Sequence, residues 1–356
     1  MKIIELHILQ SFPVSCLNRD DMGSPKTAVF GGVKRARISS QCLKRAQRTL
    51  FRELLPEYAQ GERTKLLATA FMRLIAQRGD EVKTGRDDLH LILAEAWGKQ
   101  DGKKKGGDGL PKATTLTYLS PAEMNAMIDA AVKCCTENPK TKNDDIKKAA
   151  LKAVKGALSK DAADIALYGR MVANDASLTM EGAAMFSHAI STHKSEPELD
   201  FYSAVDDLQP DDESGAGMTG MLEFSSACYY RYIAVNVDLL KSHLKDVSDV
   251  QLQEILAAFI RSSLLAVPSA RKNSMNACTV PSYVKGIVRE GHPIQLVNAF
   301  EQPVWSAEGI TAPSIRALQS EFAKMKDIWG LSVDAEIHLP ENDLSTFVDT
   351  LACAIL

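Results

Sequence analysis

Apolar and polar positions alternate from residue 3 to 10, with Ile4, Leu6 and Ile8 on one face, and this period predicts a first strand. The alternation then stops. Pro13, Pro25 and the Gly31-Gly32 pair predict an extended loop over 11–37, whose Phe, Val and Arg content favours a functional segment over a disordered one. Ser39 or Ser40 is placed to cap a helix that runs to about Leu54, before Pro56. On that helix Gln41, Lys44, Arg45 and Arg48 share one face, with Leu43, Ala46 and Leu50 opposite.

A helical period covers 62–97, with Leu66, Phe71, Leu74, Leu91, Leu93 and Trp97 as core candidates. Residues 98–112, GKQDGKKKGGDGLPK, read as a mobile surface loop. Two further helices are predicted at 120–135 and 143–158, the second with an acid-rich first turn and with Lys148, Lys152 and Lys155 on one face. ADIALYGRM, 163–171, is a short apolar element ending in a glycine turn, and a helix is expected around 183–192. Residues 223–236, EFSSACYYRYIAVN, are aromatic and β-branched and predict a strand. A helix at 250–265, a strand at 282–289, a segment at 296–300 and a helix at 312–329 follow, and 331–338 and 346–356 close the fold.

Charge changes this picture in two places. The chain of 356 residues has a net charge of -3, which opposes a uniformly basic coat. A local groove remains open to it, because screening limits charges to about 10 Å. From Met22 to Arg52 there are eight Lys/Arg and no acid; at the average of 45 acids in 356 residues, such a window should hold roughly four. From 196 to 223 the sign inverts, with nine acids and no Lys or Arg. That stretch reads as an exposed hairpin or long loop with a turn at SGAG, 214–217. Seven cysteines without CxxC spacing fit a reducing compartment, and neither a signal-peptide pattern nor a membrane-length apolar run is present, so a soluble, cytoplasmic protein is expected.

Enzyme-like constellations are thin. Gly31-Gly32 lacks the spacing of a nucleotide-binding loop. His188 and His193 are five apart, a poor spacing for joint metal ligation from one helix. Asp20 and Asp21 in NRDDM are candidates for a divalent metal, but adjacent carboxylates on an extended loop diverge and no third ligand is evident; a loop-shaping use is preferred. No cofactor is expected. For the basic stretch, an ordinary charged helix face is the plain reading. Arg19, Ser39, Ser40 and Gln41 beside the cations favour single-stranded RNA, which offers phosphates, 2′-hydroxyls and base edges.

The blocks SCLNRDDM, FGG, KRARISSQCLKRAQR, DIALYGRM, SHAISTH, DFYSAVDDLQ, EFSSACYYRY and NAFEQPV stand in one order along residues 1 to about 305. In this the chain resembles the backbone subunit of the type I-E CRISPR Cascade complex, the CasC family. The resemblance implies an α+β fold: a ferredoxin-like (RRM-like) palm with an inserted helical fingers region and a thumb β-hairpin. The expected boundaries are palm 1–58, fingers 59–183, a palm connection 184–194, thumb 195–224 and palm again 225–356.

It also implies a non-catalytic subunit stacked head to tail along CRISPR RNA, kinking it at regular intervals and presenting it to a target DNA strand. Other Cascade subunits, including a small helical one, would be partners, and no membrane. Carried over residue by residue, guide contacts fall on Arg19, Asp21, Lys26, Ser39, Gln41, Lys44 and Arg48, with Arg45 on the same helix face; Met171 matches the base wedge, and Phe201, Ser203 and Val205 the thumb. Lys148, Lys152 and Lys155 are candidate DNA contacts, with a solvated surface helix as the plainer reading. The alternative is a metal-dependent ribonuclease of a type III-like complex using Asp20 or Asp21. The acids of 196–223 are expected to face protein of the next copy while Phe201, Ser203 and Val205 face the guide.

Overall fold

The strand predicted at 3–10 extends further: β1 spans Lys2–Ser15. The computed structural model describes the chain except residues 83–84, 156–157, 173–174, 209–216 and 356. It divides into two units, one of residues 1–50, 185–235 and 256–356, the other of 51–184 and 236–255. Among the described residues no helix is long and apolar enough to cross a membrane.

The first unit is built on a large, mainly antiparallel sheet, so the chain is of mixed α+β class. In chain order its elements are β1, β2 (Thr27–Phe30), β3 (Val33–Ile38), α1 (Ser40–Leu54), β4 (Ala184–Phe186), β5 (Ala189–Ser191), β6 (Glu198–Ala204), β7 (Met218–Asn236), α2 (Asp249–Leu265), β8 (Tyr283–Glu290), α3 (Thr311–Trp329), β9 (Ala335–Leu339) and α4 (Leu344–Cys353). The strand order is β9-β8-β1-β7-β5-β3-β2, with β4 and β6 also paired to β7. β1 runs antiparallel to β8, Lys2 opposite Glu290 and Leu9 opposite Tyr283.

One apolar face was expected on β1, yet every residue from Ile3 to Gln10 is buried. Ile3 and Leu9 pack with Tyr230, Tyr283, Leu318 and Phe322, so α3 covers the face that alternation assigns to Glu5 and His7. Those two polar groups are satisfied internally. Glu5 accepts from Arg289 Nε at 2.5 Å, from the Ile294 amide at 2.7 Å and from the Tyr232 hydroxyl. The Tyr230 hydroxyl accepts from the Leu296 amide at 2.9 Å, which leaves its proton for His7 Nδ1, also at 2.9 Å. That bond needs a neutral imidazole, and burial, with Lys285 and Arg289 nearby, pushes His7 down to about 3.

Four expectations are corrected. The loop read over 11–37 is the end of β1, a short loop, and the β2–β3 hairpin, in which Thr27 faces Ala36 and Phe30 faces Val33. Its two-residue turn is Gly31-Gly32, at φ +59° and +74°, the positive angles a tight hairpin demands. The helix expected at 183–192 is instead β4 and β5. Ile190 of β5 pairs with both Tyr230 and Arg37, and these sheet bonds override a local helical preference. Residues 98–112 form a two-stranded hairpin, Gln100–Lys105 with Pro111–Ala113, closed by Asp108, which accepts from the Leu110 amide and the Thr69 hydroxyl. The helix read to 158 ends at Ala153, because Leu158 pairs with His243 and Lys245 backbone.

The second unit's core gathers Phe71, Leu93, Trp97, Met127, Ile128 and Ile146 from four helices, Leu67–Arg78, Leu89–Trp97, Pro121–Glu137 and Asn143–Ala153. Leu66, expected in that core, is exposed. Ser120 caps its helix reciprocally with Glu123, whose other partner is Arg170 at 2.7 Å, a buried pair stacked over Trp97.

A methyl on Gly31 would be built into the carbonyl of Glu301, whereas Gly32 faces open space. Gly31→Ala is therefore expected to lower the unfolding free energy by roughly 3 kcal/mol or more, and Gly32→Ala by only ~1–2 kcal/mol of left-handed strain; equal effects in urea titrations would contradict this. Between pH 3 and 6.5 the unfolded chain protonates His7 and the folded one does not, so stability rises with pH across that window. His7→Gln should flatten the slope by up to about 1.4 kcal/mol per pH unit, read from melts at stepped pH.

Candidate nucleic-acid interface

Asn18 organises the basic loop. Its Oδ1 accepts from the Ser39 amide at 2.8 Å and its carbonyl from the Lys26 amide at 2.9 Å, so the exit of β1, the start of β2 and the start of α1 are tied together. Arg19 bridges to Pro25 across the loop. Asp20 Oδ1 accepts from the Met22 and Ser24 amides at 2.9 and 3.0 Å, the loop-shaping use preferred for it. Asp21 is exposed.

The Ser39 hydroxyl accepts from the Cys42 amide and so caps α1. No acid lies in the first turn of α1, so its positive end faces the basic loop without a compensating carboxylate there. Gln41 and Arg45 project to solvent, while Lys44 and Arg48 are half-buried. Lys44 Nζ stands 5.2 Å from the centre of the Phe186 ring, and burial lowers its pKa. The apolar stripe Leu43, Ala46, Leu50 is only partly right. Leu43 is buried, Ala46 and Leu50 are half-buried, and the position beside Leu43 in the core is Gln47, whose amide donates to the Phe259 carbonyl and the Ser263 hydroxyl.

The eight cations of 22–52 do not act alike. Arg35 is fully buried: Nε donates to the Phe30 carbonyl, Nη1 to that of Ser191, and Nη2 to those of Phe300 and Glu301, at 2.8–3.3 Å. It is a structural cation. Arg37, which sequence reading did not single out, donates to the Thr27 carbonyl and meets His188 Nδ1 at 3.2 Å. Burial, then Arg37 and Lys26, lower the pKa of His188. His193 is occupied otherwise: its Nε2 accepts from the Cys228 amide and its Nδ1 meets the Lys194 carbonyl at 2.8 Å. No cluster of metal-ligand type occurs among the described residues.

The acidic stretch contains a hairpin, β6 antiparallel to β7, with Phe201 opposite Met221 and Ser203 opposite Thr219. All of β6 is exposed, including Leu199 and Phe201, and Val205 beyond it is 75% exposed. Period-2 alternation sets Asp200 on the face opposite Phe201 and Ser203. Glu223 departs from the expected segregation, since it lies opposite Leu199 and shares the Phe201 face. Tyr202 lies over Gly220, where a Cβ would meet its ring at 2.5 Å, so this close packing stiffens the hairpin. At its root Ser15 and Ser226 donate to the carbonyls of Ser225 and Phe12, fixing β7 beside β1. Most of the expected turn at 214–217, with Asp211, Asp212 and Glu213, lies outside the described residues.

Met171 and the lysine stripe belong to the second unit. Met171 is 82% exposed and follows the buried Arg170. Lys148 and Lys152 are exposed on their helix, whereas Lys155 lies past its end and pairs with Asp175 at 3.5 Å.

A family profile described as "CT1975-like protein" matches residues 4–350. Among solved structures, a chain of a "CRISPR RNA-guided surveillance complex, pre-nicking" is 28% identical, with a TM-score of 0.79 over 99% of this chain and 100% of that one. A chain of a "CRISPR RNA-guided surveillance complex" is 23% identical, with a TM-score of 0.61 and the same coverage, a likeness of fold. No curated protein matches.

Proposed function

This chain belongs to the family of CT1975-like proteins, and on that premise we propose that it is a backbone subunit of a CRISPR RNA-guided surveillance complex of the type I-E Cascade kind. It holds the guide RNA without cutting it. The similarity at 28% identity to a chain of such a complex supports this reading, as do the ordered sequence blocks. The observation that carries it is the basic loop and capped α1 set in the same unit as an exposed, partly apolar hairpin.

Within the first unit, β1-α1-β5-β7-α2-β8 lie in the spatial order β8-β1-β7-β5. That order supports a ferredoxin-like palm, with the β6–β7 hairpin as thumb. In this reading Arg19, Lys26, Lys44, Arg45 and Arg48 meet phosphates, with Asp21, Ser39 and Gln41 beside them. Phe201, Ser203 and Val205 displace one nucleotide, with Met171 as the wedge. Side-chain stacking of about 1–3 kcal/mol per base offsets the cost of separating stacked bases. Copies stack head to tail along the guide, which pairs with target DNA, and Lys148 and Lys152 serve the DNA strand. The ribonuclease alternative gains no support from Asp20, whose Oδ1 is committed to the loop amides.

Recognition of backbone geometry must be indifferent to guide sequence. Lys26→Ala and Lys44→Ala are expected to weaken binding of every single-stranded RNA tested and to flatten the slope of log K against log salt by about 0.7 per lost phosphate contact. A loss confined to particular sequences, in filter-binding titrations at several salt concentrations, would contradict the reading.

A further inference from the structure

The chain leaves α2 through Val267, Pro268, Ser269 and Ala270, and these residues form one wall of a groove of about 450 Å³. Leu17, Cys42, Arg45, Ala46 and Thr49 form the other, so the groove borders the basic row of α1 and shares Arg45 with it. Its volume falls in the range of roughly 300–1,000 Å³ that takes small organic groups. The floor is mostly apolar and the rim carries Arg45. Pro268 stiffens the wall, since its ring fixes φ.

The residue that follows the wall is unusual. Arg271 sits at φ +53°, in the left-handed region that residues with a side chain rarely adopt. Asn276, at φ +35°, repeats this at the far end of the four-residue helix Lys272–Met275. Such backbone is concentrated at binding sites. The Nε of Arg271 is shielded from solvent and meets no acceptor. A guanidinium hydrogen in that state lacks an acceptor, and an anionic oxygen makes the strongest one. The surroundings are cationic as well. Burial raises the pKa of the Cys16 thiol, and Arg19 and then Arg271 oppose that rise, so both cations flank the root of the basic loop. Glu223 and Asp20 are the acids of that neighbourhood, and Asp20 Oδ1 is occupied by loop amides. Lys272 adds an exposed cation.

We propose that residues 267–272 are a second wall of the RNA interface, in which Arg271 holds a backbone phosphate and the groove against α1 receives the sugar or base of the adjoining nucleotide. This rests on the RNA-binding reading above and extends it to a segment more than 200 residues from the basic loop in sequence. The apolar walls pack against any base, as a variable guide requires.

The test uses the full-length chain and a mixed-sequence single-stranded RNA carrying 4-thiouridine. Arg271→Gly removes the guanidinium while favouring the same backbone, so loss of folding does not cloud the outcome. It is expected to lower RNA affinity about tenfold, with Arg271→Lys recovering part of the loss. Photo-crosslinked peptides should include 267–272. If Arg271→Gly binds as tightly as the parent and no crosslink falls on this segment, while Lys26→Ala and Lys44→Ala still weaken binding, the second wall is refuted and the RNA reading stands. If none of the three substitutions weakens binding, the RNA reading itself falls.

Discussion

The candidate interface depends on one buried guanidinium. Arg35 lies in the interior and donates to the carbonyls of Phe30, Ser191, Phe300 and Glu301. These carbonyls come from the β2–β3 turn, the end of β5, and the segment before α3. Burying a charge without partners would cost several kcal/mol, so all three segments must converge for Arg35 to be tolerated. Lysine could not replace it, since its compact ammonium lacks a planar fork that reaches acceptors in several directions. The convergence also explains Gly31, whose backbone must pass against the Glu301 carbonyl, leaving no room for a Cβ. With Arg35 turned inward, Lys26, Lys34, Arg37, Lys44, Arg45 and the loop residue Arg19 are displayed around a fixed frame.

A second polar centre fixes the register of the sheet beneath that frame. Glu5 and Arg289 lie on neighbouring antiparallel strands and share the 2.5 Å ion pair. A slip by one residue would turn Glu5 to the opposite face and strand both charges. Buried ion pairs add little net stability; here the benefit lies in selecting one alignment of β1 and β8. The β6–β7 hairpin is the contrast. Among its described residues it has no such centre, and it exposes apolar side chains on a two-stranded ribbon, a form marginally stable alone in water.

Much of the fold was legible because it rests on local chemistry. The period of β1 and the Ser39 cap before α1 are readable from neighbours in sequence, as is the stop of α1 ahead of Pro56. The same holds for the aromatic strand now within β7 and for helices α2 and α3. At the candidate site, Gln41 and Arg45 stand exposed as the helical period requires, and the loop-shaping use of Asp20 follows from its position before a glycine turn. The misread parts are non-local. Residues 183–192 have a helical composition, but their amides pair with Tyr230, Arg37 and Cys228. Gln47 occupies a core position because two acceptors on α2 meet its amide.

The sequence by itself determined the class of the fold, the position of the basic loop and helix, and the exposed hairpin with its charge inversion. The class follows from the ordered blocks that carry the family resemblance, and the others from periodicity, capping or composition within a few residues. Only the tertiary structure decided which cation turns inward and which faces solvent. Arg35 and Arg37 stand two apart on one strand and so share a face, and their difference arises from carbonyls contributed more than 150 residues away. The place proposed for Arg271 has the same non-local origin. The segment just before it, Val267 to Ala270, meets Leu17 and residues of α1 across the groove, and no local pattern encodes that meeting.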